Sequence, residues 1–90
     1  MTPLIEVSRK DAQTFAVTVN GNTVTTHTVT LEPDYYDKLT GGNVTPEKLI
    51  EKSFEFLLER ENNTSILSSF DLTVINRYFP AYEKSIGQRL

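Results

Sequence analysis

Cysteine and tryptophan are absent from this 90-residue chain, and methionine and histidine occur once each. Without cysteine there is no disulfide, no thiolate nucleophile and no thiolate-bound metal. A single histidine, His27, cannot build a histidine-rich metal site, and no spacing supplies it with a nucleophile and an orienting carboxylate. Its place in a threonine-rich stretch reads as an exposed or half-buried strand position. No apolar run approaches the ~18 residues of a membrane span. The stretch "MTPLIEVSRKDAQ" has neither a basic n-region nor an apolar h-region, so no secretory signal is expected and the expected compartment is the cytoplasm. The N-x-[ST] matches at Asn43, Asn62 and Asn63 then reduce to loop polarity.

An excess of positive charge is missing too. The net charge is −3, and Arg77, Lys84 and Arg89 are the closest approach to a basic stripe. Three cations are a thin footprint for phosphates, which argues against nucleic acid as a partner. Neither G-x-x-x-x-G-K-[ST] nor G-x-G-x-x-G occurs, so no nucleotide loop and no cofactor are expected.

What is present suits one domain, residues 1–90: 38% hydrophobic and 23% charged residues separate the chain from disordered tails. The first third reads as strand. "LIEV" is a short candidate. "TFAVTV" puts Phe15, Val17 and Val19 on one side by alternation. Asn20-Gly21 suits a two-residue type I′ turn with positive φ at Gly21, pairing Val17 with Val24 and Phe15 with Thr26. In the returning "NTVTTHTVTL", Val24 has one parity, Val29 and Leu31 the other. Either a bulge near His27 or cover on the second face reconciles them, and the bulge is preferred.

Pro33 and Asp34 open a short helix that Gly41-Gly42 ends. The strongest pattern follows. Thr45 as N-cap, Pro46 at the first position and the apolar spacing predict a helix over Thr45–Glu61. Its residues Leu49, Ile50, Ser53, Phe54, Phe56 and Leu57 share an arc of about 160°, with Leu58 just beyond. "TSILSSF" reads as a turn or short helix. "DLTVINRYF" carries its own cap at Asp71, Pro80 interrupts it, and "AYEKSI" forms a last short helix ended by Gly87. Val17, Val19, Leu31, Leu49, Ile50, Phe54, Leu57, Leu67, Phe70 and Ile75 are the expected core.

Candidate chemistry is sparse. Glu32, Asp34 and Asp37 surround Tyr35-Tyr36, but acidic residues at a helix start serve the helix dipole. Glu47, Glu51, Glu55 and Glu59 form one acidic row, relieved by Lys48 and Lys52 and read as a solvated face. The closing "FDLTVINRYFPAYEKSI", plotted as helix, aligns Leu72, Ile75, Tyr78, Phe79, Tyr82 and Ile86. Leu72 and Ile75 are assigned to the core. Tyr78, Tyr82 and Ile86 are the candidate partner surface, for a protein partner or a second copy of the chain.

The stretch from Asp34 to Ile86, "DYYDKLTGG…AYEKSI", resembles a group of small uncharacterised bacterial proteins. That implies a bacterial cytosolic domain and no particular activity. More locally, "GGNVTPEKLIEKSFEFLL" resembles the start of the central helix of OsmC-type peroxide-reducing proteins. Their chemistry needs cysteines that this chain lacks.

The expected fold class is α+β: an antiparallel sheet of two or three strands from residues 4–31, covered by one long helix and short C-terminal helices. Three functions follow. The first is a non-catalytic interaction or regulatory module, marked by a contiguous apolar surface patch. The second is a nucleic-acid-associated protein. The third is a small enzyme in which Asp34, Tyr35, Tyr36 and His27 would have to converge.

Overall fold

In a computed structural model, residues 4–90 are described. The chain is α+β, with strands β1 (Leu4–Arg9), β2 (Thr14–Asn20), β3 (Val24–Thr30) and β4 (Ser69–Asp71), and helices α1 (Pro33–Thr40), α2 (Pro46–Leu58), α3 (Val74–Tyr78) and α4 (Tyr82–Arg89). The sheet order is β1-β2-β3-β4. The first three strands are antiparallel, and β4 returns parallel to β3. The sheet is therefore mixed and four-stranded, where the sequence predicts two or three antiparallel strands from residues 4–31. A parallel neighbour needs a crossover, and α1 and α2 supply it.

The β2–β3 register differs from expectation. Asn20 faces Val24, so the loop is Gly21-Asn22-Thr23; Val17 faces His27 and Phe15 faces Val29. Positive φ occurs at Gly41 and Gly42 and not at Gly21, so the type I′ turn is not formed. The longer loop removes the parity conflict. Thr25, His27, Val29 and Leu31 now lie on the face of Phe15, Val17 and Val19. Val24 points the other way and is exposed. Pairing runs unbroken past His27, so no bulge is needed.

One face of the sheet is apolar. Phe15, Val17, Val19 and Val29 are buried against α2, whose Leu49, Ile50, Phe54, Phe56 and Leu57 are buried in turn. The buried arc of α2 is the predicted one, Ser53 included. The Thr45 hydroxyl caps α2 by accepting from the Lys48 amide, satisfying one of the orphan donors of the first turn. The helix ends at Leu58, with its last apolar residue, three residues before the predicted end at Glu61. There the Arg60 guanidinium donates to the Phe56 carbonyl and stacks 3.7 Å from the Phe56 ring centroid. Gly41 ends α1 with φ 65°, in the left-handed region, where a Cβ is penalised.

The C-terminal segment packs differently from a single stripe. Tyr82 and Ile86 are fully buried in α4. Ser53 spends its one proton on the Leu49 carbonyl at 2.8 Å, so the Tyr82 hydroxyl donates to Ser53 Oγ at 2.6 Å. The Tyr82 ring meets Phe56 edge-on at 5.3 Å. Gly87 does not stop α4, which runs on to Arg89. Arg89 then pairs with Glu59.

Candidate apolar groove beside the fourth strand

The site begins with β4. "SFD" is too short to announce a strand by alternation, and its order comes from β3. Thr28, Val29 and Thr30 face Ser69, Phe70 and Asp71. The Thr30 hydroxyl donates to Asp71 at 2.7 Å, and the other Asp71 oxygen accepts from the Thr73 amide and hydroxyl. Asp71 is thus a clamp between β3 and the turn into α3, where the sequence suggests a plain helix cap. Burial opposes its ionisation, but the hydrogen bonds from Thr73 and Thr30 prevail and hold its carboxyl below the usual range.

The linker before β4 is fixed from inside the core. His27 is buried, against the expectation of an exposed or half-buried residue. Its Nδ1 lies 2.7 Å from the Leu67 carbonyl and its Nε2 2.9 Å from Thr25 Oγ1. A carbonyl can only accept, so in the neutral ring Nδ1–H donates and Nε2 accepts from the Thr25 hydroxyl. Thr25 Oγ1 in turn accepts from the Asn63 side-chain amide. The Leu67 carbonyl is thus turned inward to His27, and the Ser68 carbonyl accepts from the Thr28 amide, so the linker is tied to β3. The Leu67 side chain is 49% exposed, not in the core, and Ile66 is buried in its place.

Between this linker, the end of α2 and α3 lies an open groove of about 270 Å³. Leu57, Ile66 and Ile75 line it as buried residues. Phe70, Val74 and Phe79 are half-buried in its walls. Leu67 stands on one rim and Tyr78, 68% exposed, on the other. The lining includes only two polar residues, Ser65 and Glu61. The short helix α3 leaves Tyr78 out. It ends at Phe79, with φ −132° and ψ 86°, directly before Pro80, as the steric rule for a residue preceding proline requires.

Of the candidate partner surface, Tyr78 is therefore at the groove, whereas Tyr82 and Ile86 are covered by the chain's own core and are not available to a partner. The groove's other contributors, Leu67 and Phe70, carry the signal of large apolar residues that a core assignment absorbs.

The proposed catalytic set does not converge. Both His27 nitrogens are engaged by Leu67 and Thr25. Tyr35 donates to Glu83, which also pairs with Lys38, and Tyr36 donates to the Val44 carbonyl. Asp34 is exposed. Burial, then the bond to the Glu83 carboxylate, pushes the Tyr35 phenol upward. Burial raises Tyr82 likewise. Neither phenol offers a phenolate near neutral pH. The basic residues do not join either, since Arg89 is committed to Glu59. In the acidic row, Glu51 and Glu55 pair with Lys48 and Lys52, and Glu59 is held ionised, first of all by the hydrogen bond from Arg89. Among the described residues no group of three or more His, Asp or Glu is placed to hold a metal ion, and no helix is long and apolar enough to cross a membrane.

In comparisons with known proteins, no family model, curated protein or solved structure matches the chain. Neither resemblance seen in the sequence gains support from them.

Proposed function

We propose that this chain is a small non-catalytic interaction module whose docking site is the groove between Leu67 and Tyr78. The observation that carries this reading is a concave, mainly apolar depression with two large rim side chains left in solvent. Exposing Tyr78 and Leu67 wastes hydrophobic free energy that a docked apolar group would recover, at ~25 cal/mol per Å² removed from water. Concavity lets a ligand be covered on several sides, the usual geometry of a specific apolar site.

Tyramine is a suitable probe, joining a phenol ring to an ammonium group that can approach Glu61. In a titration followed by backbone amide resonances, shifts should concentrate at Leu67, Phe70, Val74, Tyr78 and Phe79. Leu67→Ser should weaken them while leaving the fold intact. Shifts absent, or spread evenly over the molecule, would refute the reading.

A further inference from the structure

We propose that Asn20-Gly21 is a site of slow, spontaneous covalent modification, in which Asn20 loses its side-chain amide and becomes aspartate or isoaspartate, and that Glu6 makes the change felt by the sheet. Asn20 is the one asparagine of the chain that glycine follows. The reaction is an attack by the next residue's backbone nitrogen on the side-chain carbonyl carbon, closing a cyclic imide. A side chain on that next residue crowds the nitrogen, and glycine has none. Thr23, Val44, Asn63, Thr64 and Arg77 follow the other asparagines.

The fold leaves this attack open. Asn20 is the last residue of β2, and Gly21 begins the exposed loop Gly21-Asn22-Thr23. Among the described residues the Gly21 amide makes no backbone hydrogen bond, so no ladder holds the nucleophile in place. The nearest atoms to a Cβ built on Gly21 are 3.8 Å away, which leaves the backbone room to turn its nitrogen toward Asn20 Cγ. Asn63, by contrast, spends its side-chain amide on the Thr23 carbonyl and Thr25 Oγ1.

The step balances with water as the only co-reactant. The Gly21 nitrogen gives its proton to a solvent base and bonds to Asn20 Cγ. The Cγ–Nδ2 bond breaks, and Nδ2 leaves as ammonia with a proton from water. Water then opens the imide at either carbonyl. One opening gives aspartate; the other gives isoaspartate, whose main chain runs through Cβ and Cγ and is longer by that carbon. Nothing is oxidised or reduced, and the loss of ammonia makes the change one-way.

The consequence falls on the β1–β2 pair. Asn20 Nδ2 donates to Glu6 Oε2 at 3.1 Å, from one strand to the other. Both products lose that donor. Aspartate sets a carboxylate against Glu6, so a cross-strand hydrogen bond becomes a like-charge contact, which is destabilising. Isoaspartate lengthens the main chain at a residue that faces Leu4 on one side and Val24 on the other, and the pairing at this end of the sheet loses its spacing.

Incubation of the full chain at physiological temperature, at neutral and at mildly alkaline pH, with peptide mapping by mass spectrometry, tests the site. The peptide holding Asn20 should gain the mass of amide-to-acid conversion before any other asparagine does, and should split into two isomers. It should convert faster at the higher pH, since the attack uses the deprotonated nitrogen. Gly21→Ala should slow conversion at least about tenfold, ~1.4 kcal/mol in activation free energy. Conversion confined to the urea-unfolded chain, a rate no greater than that of the other asparagines, or Gly21→Ala reacting as fast as wild type would overturn the site. Asn20→Asp tests the consequence. Its urea midpoint at neutral pH should lie below that of wild type, and adding Glu6→Gln should restore most of the difference, because the glutamine amide donates to the new carboxylate. A midpoint unmoved by Asn20→Asp, or a loss that Glu6→Gln leaves unrelieved, would overturn the part given to Glu6.

Discussion

Tyr82 shows how much one position depends on its surroundings. Its ring packs edge-on against Phe56 of α2, its hydroxyl finds Ser53 on the same helix, and among the described residues no buried side-chain polar atom is left unpaired. Tyr82→Ala should cost about 3–5 kcal/mol, the range for a fully buried aromatic truncation. Tyr78→Ala should cost no more than about 0.5 kcal/mol. Urea denaturation of both variants measures the contrast, and similar losses would deny it. Asp71 has its own signature. Its folded carboxyl titrates below the unfolded value of about 3.9, so it adds stability above that pH and loses it as pH falls through the lower, folded value. Asp71→Asn should therefore be less stable than wild type at neutral pH, with the gap closing below about pH 4. A gap that stays constant on acidification would mean that the charge on Asp71 contributes nothing.

At the scale of elements, the turns separate what glycine does in each. Gly21 has no positive φ, and a Cβ there would sit 3.8 Å from its nearest neighbours. Gly41 has φ 65°. Gly21→Ala should be neutral or stabilise by up to about 1 kcal/mol through the unfolded chain, whereas Gly41→Ala should destabilise by roughly 1 kcal/mol. Thermal melts compare them directly. The same elements mark how far the sequence was legible. The body of α2 follows from a cap, a proline and a wide apolar arc, signals internal to one segment. β4 does not, because three residues become a strand only when β3 is beside them. The hairpin register differs from the expected one because Asn20-Gly21 satisfies the shortest loop locally, while the cross-strand match of Phe15 with Val29 decides the real one. His27 shares parity with Val29 and Leu31. Taking those three together, without a bulge, would have placed it in the core and shown it as the anchor of the groove wall. The groove itself was not legible beyond Tyr78, because its walls come from segments that the fold alone brings together.

For the whole molecule, the account is that the closing aromatic segment divides at Pro80. Before it, α3 presents Tyr78 at an open groove; after it, α4 sinks Tyr82 and Ile86 into the core. One face of the sheet carries α2, and the groove sits where this layer ends beside the last strand. Residue-resolved acetylation of the four tyrosines, read by mass spectrometry in dilute protein, tests that division most directly, since the reagent needs both access and an ionisable phenol. Tyr78 should react fastest and Tyr82, buried and raised in pKa, should stay unmodified while the protein is folded. Modification of Tyr82 at a rate comparable to that of Tyr78 would contradict the account.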